Sequence, residues 1–233
     1  MAEQRVSNER KRELEQIDLF QEYLIKSINF ISRHKKQFVI AITAVLSVII
    51  IVSGIMYSFN KSEEAASLLA AKAVTEYEKI SDPAEGYEAV SSDFQTLFKD
   101  YANTAAGKQA NVTFAKICFD AEKFDLSLKH YKKALALYDD KAMMGNFLLS
   151  SLGHVSIAMK DYDAAEKYFK QVEASEEDLL KDEAQFSLAM IYELSDRRAE
   201  SKKRYEKIVA DHADSLYLAI AKSKINQLGG GSE

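Results

Sequence analysis

The chain has 233 residues, 47% of them hydrophobic, with one proline, one cysteine and a formal net charge of −5. A single proline leaves long helices unbroken, and the lone Cys118 excludes an intramolecular disulfide. Of 31 basic and 36 acidic side chains, residues 1–37 hold 8 and 6, and residues 38–59 hold none; 23 and 30 are left for residues 60–233. That acidic bulk argues against a nucleic-acid partner, since neutralising phosphates needs a basic face.

Residues 1–37 form the first segment, expected to be a cytoplasmic arm. Residues 1–16 are almost wholly polar and are expected to be disordered. From residue 17 the spacing of Ile17, Phe20, Leu24, Ile28 and Ile31 predicts an amphipathic helix lying in a membrane interface. Such a helix either anchors the adjoining apolar run or docks a cytoplasmic partner.

Residues 38–59, FVIAITAVLSVIIIVSGIMYSF, carry no charge over 22 positions. About 20 suffice to cross a hydrocarbon core of roughly 30 Å, and a helix satisfies every backbone group on the way. The 37-residue head and the lack of a small-x-small site set this run apart from a cleaved signal peptide. Arg33, Lys35 and Lys36 crowd its N-terminal edge, while Lys61 stands with Glu63 and Glu64 beyond the other. The excess of positive charge places the N-terminus in the cytoplasm. The expected location is a bacterial inner membrane, with a single pass and a periplasmic C-terminal domain over residues 60–228. A flexible tail is expected at 229–233.

From Lys61 onward apolar residues recur at three and four, a helical period. Residues 62–81 and 84–101 read as a first, divergent hairpin. Three later segments align on a small residue: Ala115, Gly153 and Ala189. Three positions on stand Cys118, Ser156 and Tyr192; twelve on, Ser127, Ala165 and Ser201. Sixteen on come the aromatics Tyr131, Phe169 and Tyr205, and nineteen on the aliphatics Ala134, Val172 and Ile208. One before each anchor sit Phe114, Leu152 and Leu188. Small residues let paired helices approach closely, and the aromatic fills the wedge between successive hairpins. AEKFD, MKDYD and LSDRR separate the paired helices at matching places. This register resembles the tetratricopeptide repeat, although that repeat's Trp and terminal Pro are absent. Residues 215–228 read as the terminal helix that such arrays need to cover an open end. The expected fold is all-α: one transmembrane helix, then an α-solenoid of tetratricopeptide-like helical hairpins with a capping helix.

No HExxH or Cys/His cluster occurs, so no metal is expected. There is no GxGxxG or GxxxxGK[ST] loop, and no GxSxG elbow or Ser/His/Asp set that spacing would assemble. The reading is a non-enzyme without cofactor or small-molecule substrate. Cys118 replaces a packing residue and is expected to be a buried, inert thiol.

First helices of such hairpins line the concave side. The register places Gln109, Val112, Lys116 and Phe119 there, then Phe147, Ser150, His154 and Ile157, then Glu183, Phe186, Met190 and Glu193. From these the candidate protein-binding groove is Val112, Lys116, Phe119, Phe147, Ser150, His154, Ile157, Phe186, Met190 and Glu193. An apolar concave surface with a polar rim suits extended polypeptide. The basic clamp with which some repeats grip a C-terminal carboxylate is not matched, because Val112, Ser150 and Phe186 fill its places. The other possibility is that the first hairpin or the capping helix covers this surface.

Order and proportions resemble the YfgM-like family, ancillary subunits of the SecYEG translocon with a short cytoplasmic N-terminus, one span near residue 40 and a periplasmic repeat domain. The stretch DLFQEYLIKSINFISRHKK is similar to the amphipathic lead-in of those proteins. The resemblance implies partners among translocon subunits, exported polypeptides and periplasmic chaperones, beside the lipid bilayer. The residues by themselves imply a membrane-tethered binding scaffold. Another cell-envelope machine, for division, pilus assembly or secretion, would use the same physics. An outer-membrane lipoprotein would need a lipobox cysteine near the N-terminus, and Cys118 is far from it.

Overall fold

The computed structural model of the chain describes residues 19–138 and 142–229, and every element among them is a helix. They are α1 (Leu19–Arg33), α2 (Lys35–Lys79), α3 (Pro83–Asp100), α4 (Ala105–Asp120), α5 (Phe124–Leu137), α6 (Ala142–Ala158), α7 (Tyr162–Ala174), α8 (Lys181–Leu194), α9 (Arg198–Asp211) and α10 (Leu218–Gly229). The chain divides into two compact units between Phe59 and Asn60. The expected disorder of residues 1–16 and the tail residues 230–233 lie outside the described residues. Gly229 itself ends α10.

In the first unit, α1 leaves Tyr23, Leu24, Ile25, Ile28, Phe30 and Ile31 exposed. α2 begins at Lys35 and runs for 45 residues, about 68 Å at 1.5 Å per residue. Its N-terminal part is long and apolar enough to cross a membrane, with none of the apolar window buried. Thr43 and Ser47, two of the polar side chains within that run, donate to the carbonyls of Val39 and Thr43 at 2.8 Å each. Both hydroxyls are thereby satisfied inside the helix, as an apolar solvent demands.

The second unit begins inside α2, whose C-terminal part pairs with α3. Ala66 and Ala73 are fully buried against Val90, Phe94 and Leu97. Pro83 opens α3, where its missing N–H costs nothing, and Asp82 caps it by accepting from the Glu85 N–H at 2.9 Å. Glu63 reaches the start of α4 and accepts from the backbone N–H groups of Ala105 and Ala106 at 2.6 and 2.9 Å. A carboxylate there satisfies two orphan donors and complements the helix dipole.

Three further hairpins complete the array, α4–α5, α6–α7 and α8–α9. Each residue of the register is buried: the small anchors, the small residues twelve on, the aromatics sixteen on and the aliphatics nineteen on. A Cβ added to Gly153 would lie 2.5 Å from Cζ of the buried Phe169 ring. The small anchor is therefore a steric requirement of the aromatic opposite. The three turns inside the hairpins are copies of one another. Glu122, Lys160 and Asp196, each seven after its anchor, have φ of 56°, 62° and 54°. The next N–H groups, of Lys123, Asp161 and Arg197, bond back to the carbonyls of Cys118, Ser156 and Tyr192 at 2.7, 2.9 and 2.7 Å. This is the six-to-one bond that closes a helix on a left-handed residue. α10 starts at Leu218, three residues later than residue 215, because the Ser215 Oγ accepts from the Tyr217 N–H and donates to Asp182, holding a turn there.

Candidate functional site

An open cleft of about 490 Å³ lies between the first helices of the second and third hairpins of the domain, α4 and α6. Lys116 and Phe119 of α4, Tyr131 of α5, and Phe147, Ser151, His154, Ile157 and Ala158 of α6 line it. Phe147 presents 45% of its surface to solvent, an unusual exposure for an aromatic ring inside a packed array. Phe119 is half-buried, edge-on to Phe124 at 5.7 Å. At the rim Lys116 pairs with Asp120 at 2.6 Å, and Asp120 also accepts from the Tyr77 hydroxyl at 3.2 Å. The walls are apolar and the rim is charged.

The structure thus brings together five of the candidate groove residues: Lys116, Phe119, Phe147, His154 and Ile157. Val112 and Ser150 do not line the cleft. Val112 is buried in the core shared by α4, α5 and α6. Ser150 turns toward α8, where its hydroxyl donates to Glu183 Oε1 at 2.8 Å. On α6 the residues facing the cleft are 147, 151, 154 and 158 together with 157, one step around the helix from the stripe drawn through Ser150. Ser151 and Ala158 follow from strict four-and-three spacing counted from Phe147. Tyr131 is the wedge aromatic of its repeat and is 5% exposed.

In the last hairpin, Phe186, Met190 and Glu193 stand apart from the cleft. Phe186 stacks on Tyr217 with ring centroids 4.5 Å apart and meets Tyr205 edge-on at 6.0 Å. Glu193 accepts from the Tyr205 hydroxyl and from Lys224 of α10, both at 2.7 Å. Met190 is half-buried. The terminal segment therefore engages this end of the array, while the α4–α6 cleft stays open.

Ser150, His154 and Glu183 meet in space although 29 or more residues separate the two helices' members. His154 Nε2 lies 2.6 Å from Glu183 Oε1. An ionised carboxylate only accepts, so Nε2 carries the hydrogen. The bond from His154, joined by the Ser150 hydroxyl, holds the Glu183 carboxyl below its usual range against the opposing effect of burial. Both donors point at one oxygen, and the serine is not aimed at the imidazole. The cluster fastens α6 to α8 and does not activate a nucleophile. Cys118 is fully buried, and burial pushes its thiol up to about 12, far from a reactive thiolate. Among the described residues no group of three or more His, Cys, Asp or Glu could hold a metal ion.

A second, more polar cleft of about 310 Å³ opens among α7, α8 and α9. Lys170, Tyr192, Arg197, Glu200, Lys203, Arg204 and Lys207 line it. Arg197 lies 4.2 Å over the Tyr192 ring and bonds Glu166 at 2.8 Å and Glu200 at 2.6 Å. Arg204 and Lys207 bond Glu173 at 2.8 and 2.6 Å. Burial alone would raise the Glu173 carboxyl, but these cations outweigh it and hold it at about 2.

A family model described as a tetratricopeptide repeat-like domain matches residues 36–230. No curated protein matches the chain.

Proposed function

Because the chain belongs to the tetratricopeptide repeat-like family, we propose that it is a membrane-anchored interaction module whose α4–α6 cleft receives apolar segments of other polypeptides. Domains of this fold are typically scaffolds for protein partners and not catalysts, and no cofactor enters the proposal. The observation that carries it is the half-exposed Phe147 at the mouth of a 490 Å³ apolar cleft. That volume lies in the range of ligand pockets. With about 25 cal/mol per Å² of apolar surface, covering the exposed part of Phe147 contributes about 2 kcal/mol to binding.

The chain sits in a bacterial inner membrane through residues 38–59, with the repeat domain in the periplasm. The arrangement of basic residues before the span and acidic ones after it supports that orientation. In the fuller form of the proposal it is an ancillary translocon subunit that passes exported chains to periplasmic chaperones. An unspecific apolar cleft on a tethered domain supports this, since exported chains emerge unfolded beside the membrane. The test is site-specific crosslinking in cells from Phe119 and Phe147. Adducts with translocon subunits and with many exported proteins are expected. A single adduct with one folded envelope protein would replace this reading with a dedicated scaffold for another envelope machine.

A further inference from the structure

The outward faces of the second helices carry a lysine ladder in the repeat register. Fourteen residues after each anchor stand Lys129, Lys167 and Lys203, all exposed. Lys132 and Lys170 stand at seventeen, and Lys133 and Lys207 at eighteen, also exposed. Together α5, α7 and α9 hold ten Lys/Arg and seven Asp/Glu, a surplus of three in a domain whose total is −7, so the rest of it carries −10. The first helices α4, α6 and α8 together carry −1. Two of the seven ladder lysines are paired, Lys170 with Glu166 and Lys207 with Glu173. Lys133 lies 5.4 Å over the Phe98 ring. Lys129, Lys132, Lys167 and Lys203 form no ion pair among the described residues.

The same face holds the 310 Å³ cleft between α7 and α9. Five cations, Lys170, Arg197, Lys203, Arg204 and Lys207, surround it, and three carboxylates, Glu166, Glu173 and Glu200, offset them in part. The carboxylates occupy the Arg197 fork, but a surplus of two positive charges is left, with Lys203 forming no ion pair among the described residues, and that surplus suits a phosphate.

We propose that this cationic face docks on anionic phospholipid head groups, with a head-group phosphate entering the α7–α9 cleft. The inference rests on reading residues 38–59 as a membrane span. Lipid is favoured over an acidic protein because a span tethers the domain to its lipid partner, making the encounter intramolecular. Anionic surfaces attract each nearby lysine by about fivefold in binding, and the attraction is screened within a Debye length of about 8 Å.

The full chain is reconstituted in phosphatidylcholine vesicles with and without phosphatidylglycerol. Retention after alkaline washing reports the span. A dye is placed by Gln171→Cys, on the ladder face, where the buried Cys118 does not compete for labelling. Energy transfer to a head-group acceptor then reports docking. Transfer is expected to rise with phosphatidylglycerol, to fall at high salt, and to be lost in the triple variant Lys129→Glu, Lys167→Glu, Lys203→Glu. Equal transfer in both lipids, or an unchanged triple variant, overturns the docking while leaving the span intact. Loss of the chain on alkaline washing overturns the span and the docking with it. A lysine-dependent crosslink to an acidic protein, with no dependence on lipid charge, assigns the face to that partner and overturns the lipid assignment.

Discussion

Gly153 and Gly145 lie two turns apart on one helix and should respond oppositely to the same change. In Gly153→Ala the new methyl meets the fully buried Phe169 ring at 2.5 Å, and overpacking of this kind costs about 1–3 kcal/mol. Nothing lies within 4 Å of a Cβ at Gly145, so Gly145→Ala should stabilise by about 0.5–1 kcal/mol through reduced chain entropy. Urea denaturation of both variants measures the pair, and equal effects would contradict the steric role of the anchor. His130 makes a second prediction at this scale. It stacks on Phe98 at 4.6 Å, with Nδ1 3.1 Å from the Asn111 Oδ1. Burial, aided by Lys129 and Lys133, lowers it to about 4. The unfolded chain takes up its proton first, near pH 6.5. The stability given by the neutral ring is therefore complete above about pH 6.5 and is lost as pH falls toward 4, by up to about 3 kcal/mol. The carboxylate of Glu173, held at about 2, keeps its contribution until pH drops below about 4.5. His130→Phe should flatten the pH dependence of unfolding between 6.5 and 4.5; an unchanged slope would show that another group carries it.

Among the elements, the hairpin turns show how closely the repeats copy one another. Lys160 holds φ at 62° without being glycine, a conformation that a Cβ disfavours. Lys160→Gly should raise stability by about 0.5–1 kcal/mol, read as a shift in urea midpoint with unchanged slope. A loss would mean that the turn is held by the lysine side chain. The repeat register was legible because close helix packing dictates residue size: Ala115, Gly153 and Ala189 are all buried, and at Gly153 the Phe169 ring leaves no room for a Cβ. The turns were legible as places, but not their left-handed residues, since Glu122, Lys160 and Asp196 carry no glycine signal. The groove was only half legible. Its stripe on α6 was drawn through Ser150, and the structure puts Ser151 there, because Glu183 of the neighbouring helix draws the Ser150 hydroxyl away. That pull comes from a residue 33 positions along the chain, which periodicity within one helix does not contain. The engagement of Phe186 by Tyr217 was invisible for the same reason, although a capping helix over the last hairpin was expected from the need to close the array.

At the scale of the whole molecule, α2 spans Lys35–Lys79, and its C-terminal part supplies Ala66 and Ala73 to the core of the repeat domain. The cleft is lined mainly by the first helices α4 and α6, with Tyr131 of α5, whereas the ladder lysines stand on the second helices α5, α7 and α9, and no residue belongs to both. One surface can therefore be engaged while the other stays free. The proposed division of labour has the cleft holding polypeptide and the lysine ladder meeting lipid.

The central claim is that the α4–α6 cleft binds apolar polypeptide, and affinity of the full chain in lipid nanodiscs for a dye-labelled unfolded polypeptide measures it most directly. Phe147→Glu should weaken binding roughly thirtyfold, the equivalent of about 2 kcal/mol of lost apolar burial, without lowering the melting temperature, because that ring is half exposed. Leu68→Glu, an exposed position of α2 away from the cleft, should bind as the parent does. Undiminished binding by Phe147→Glu would contradict the account and place the binding surface elsewhere on the array.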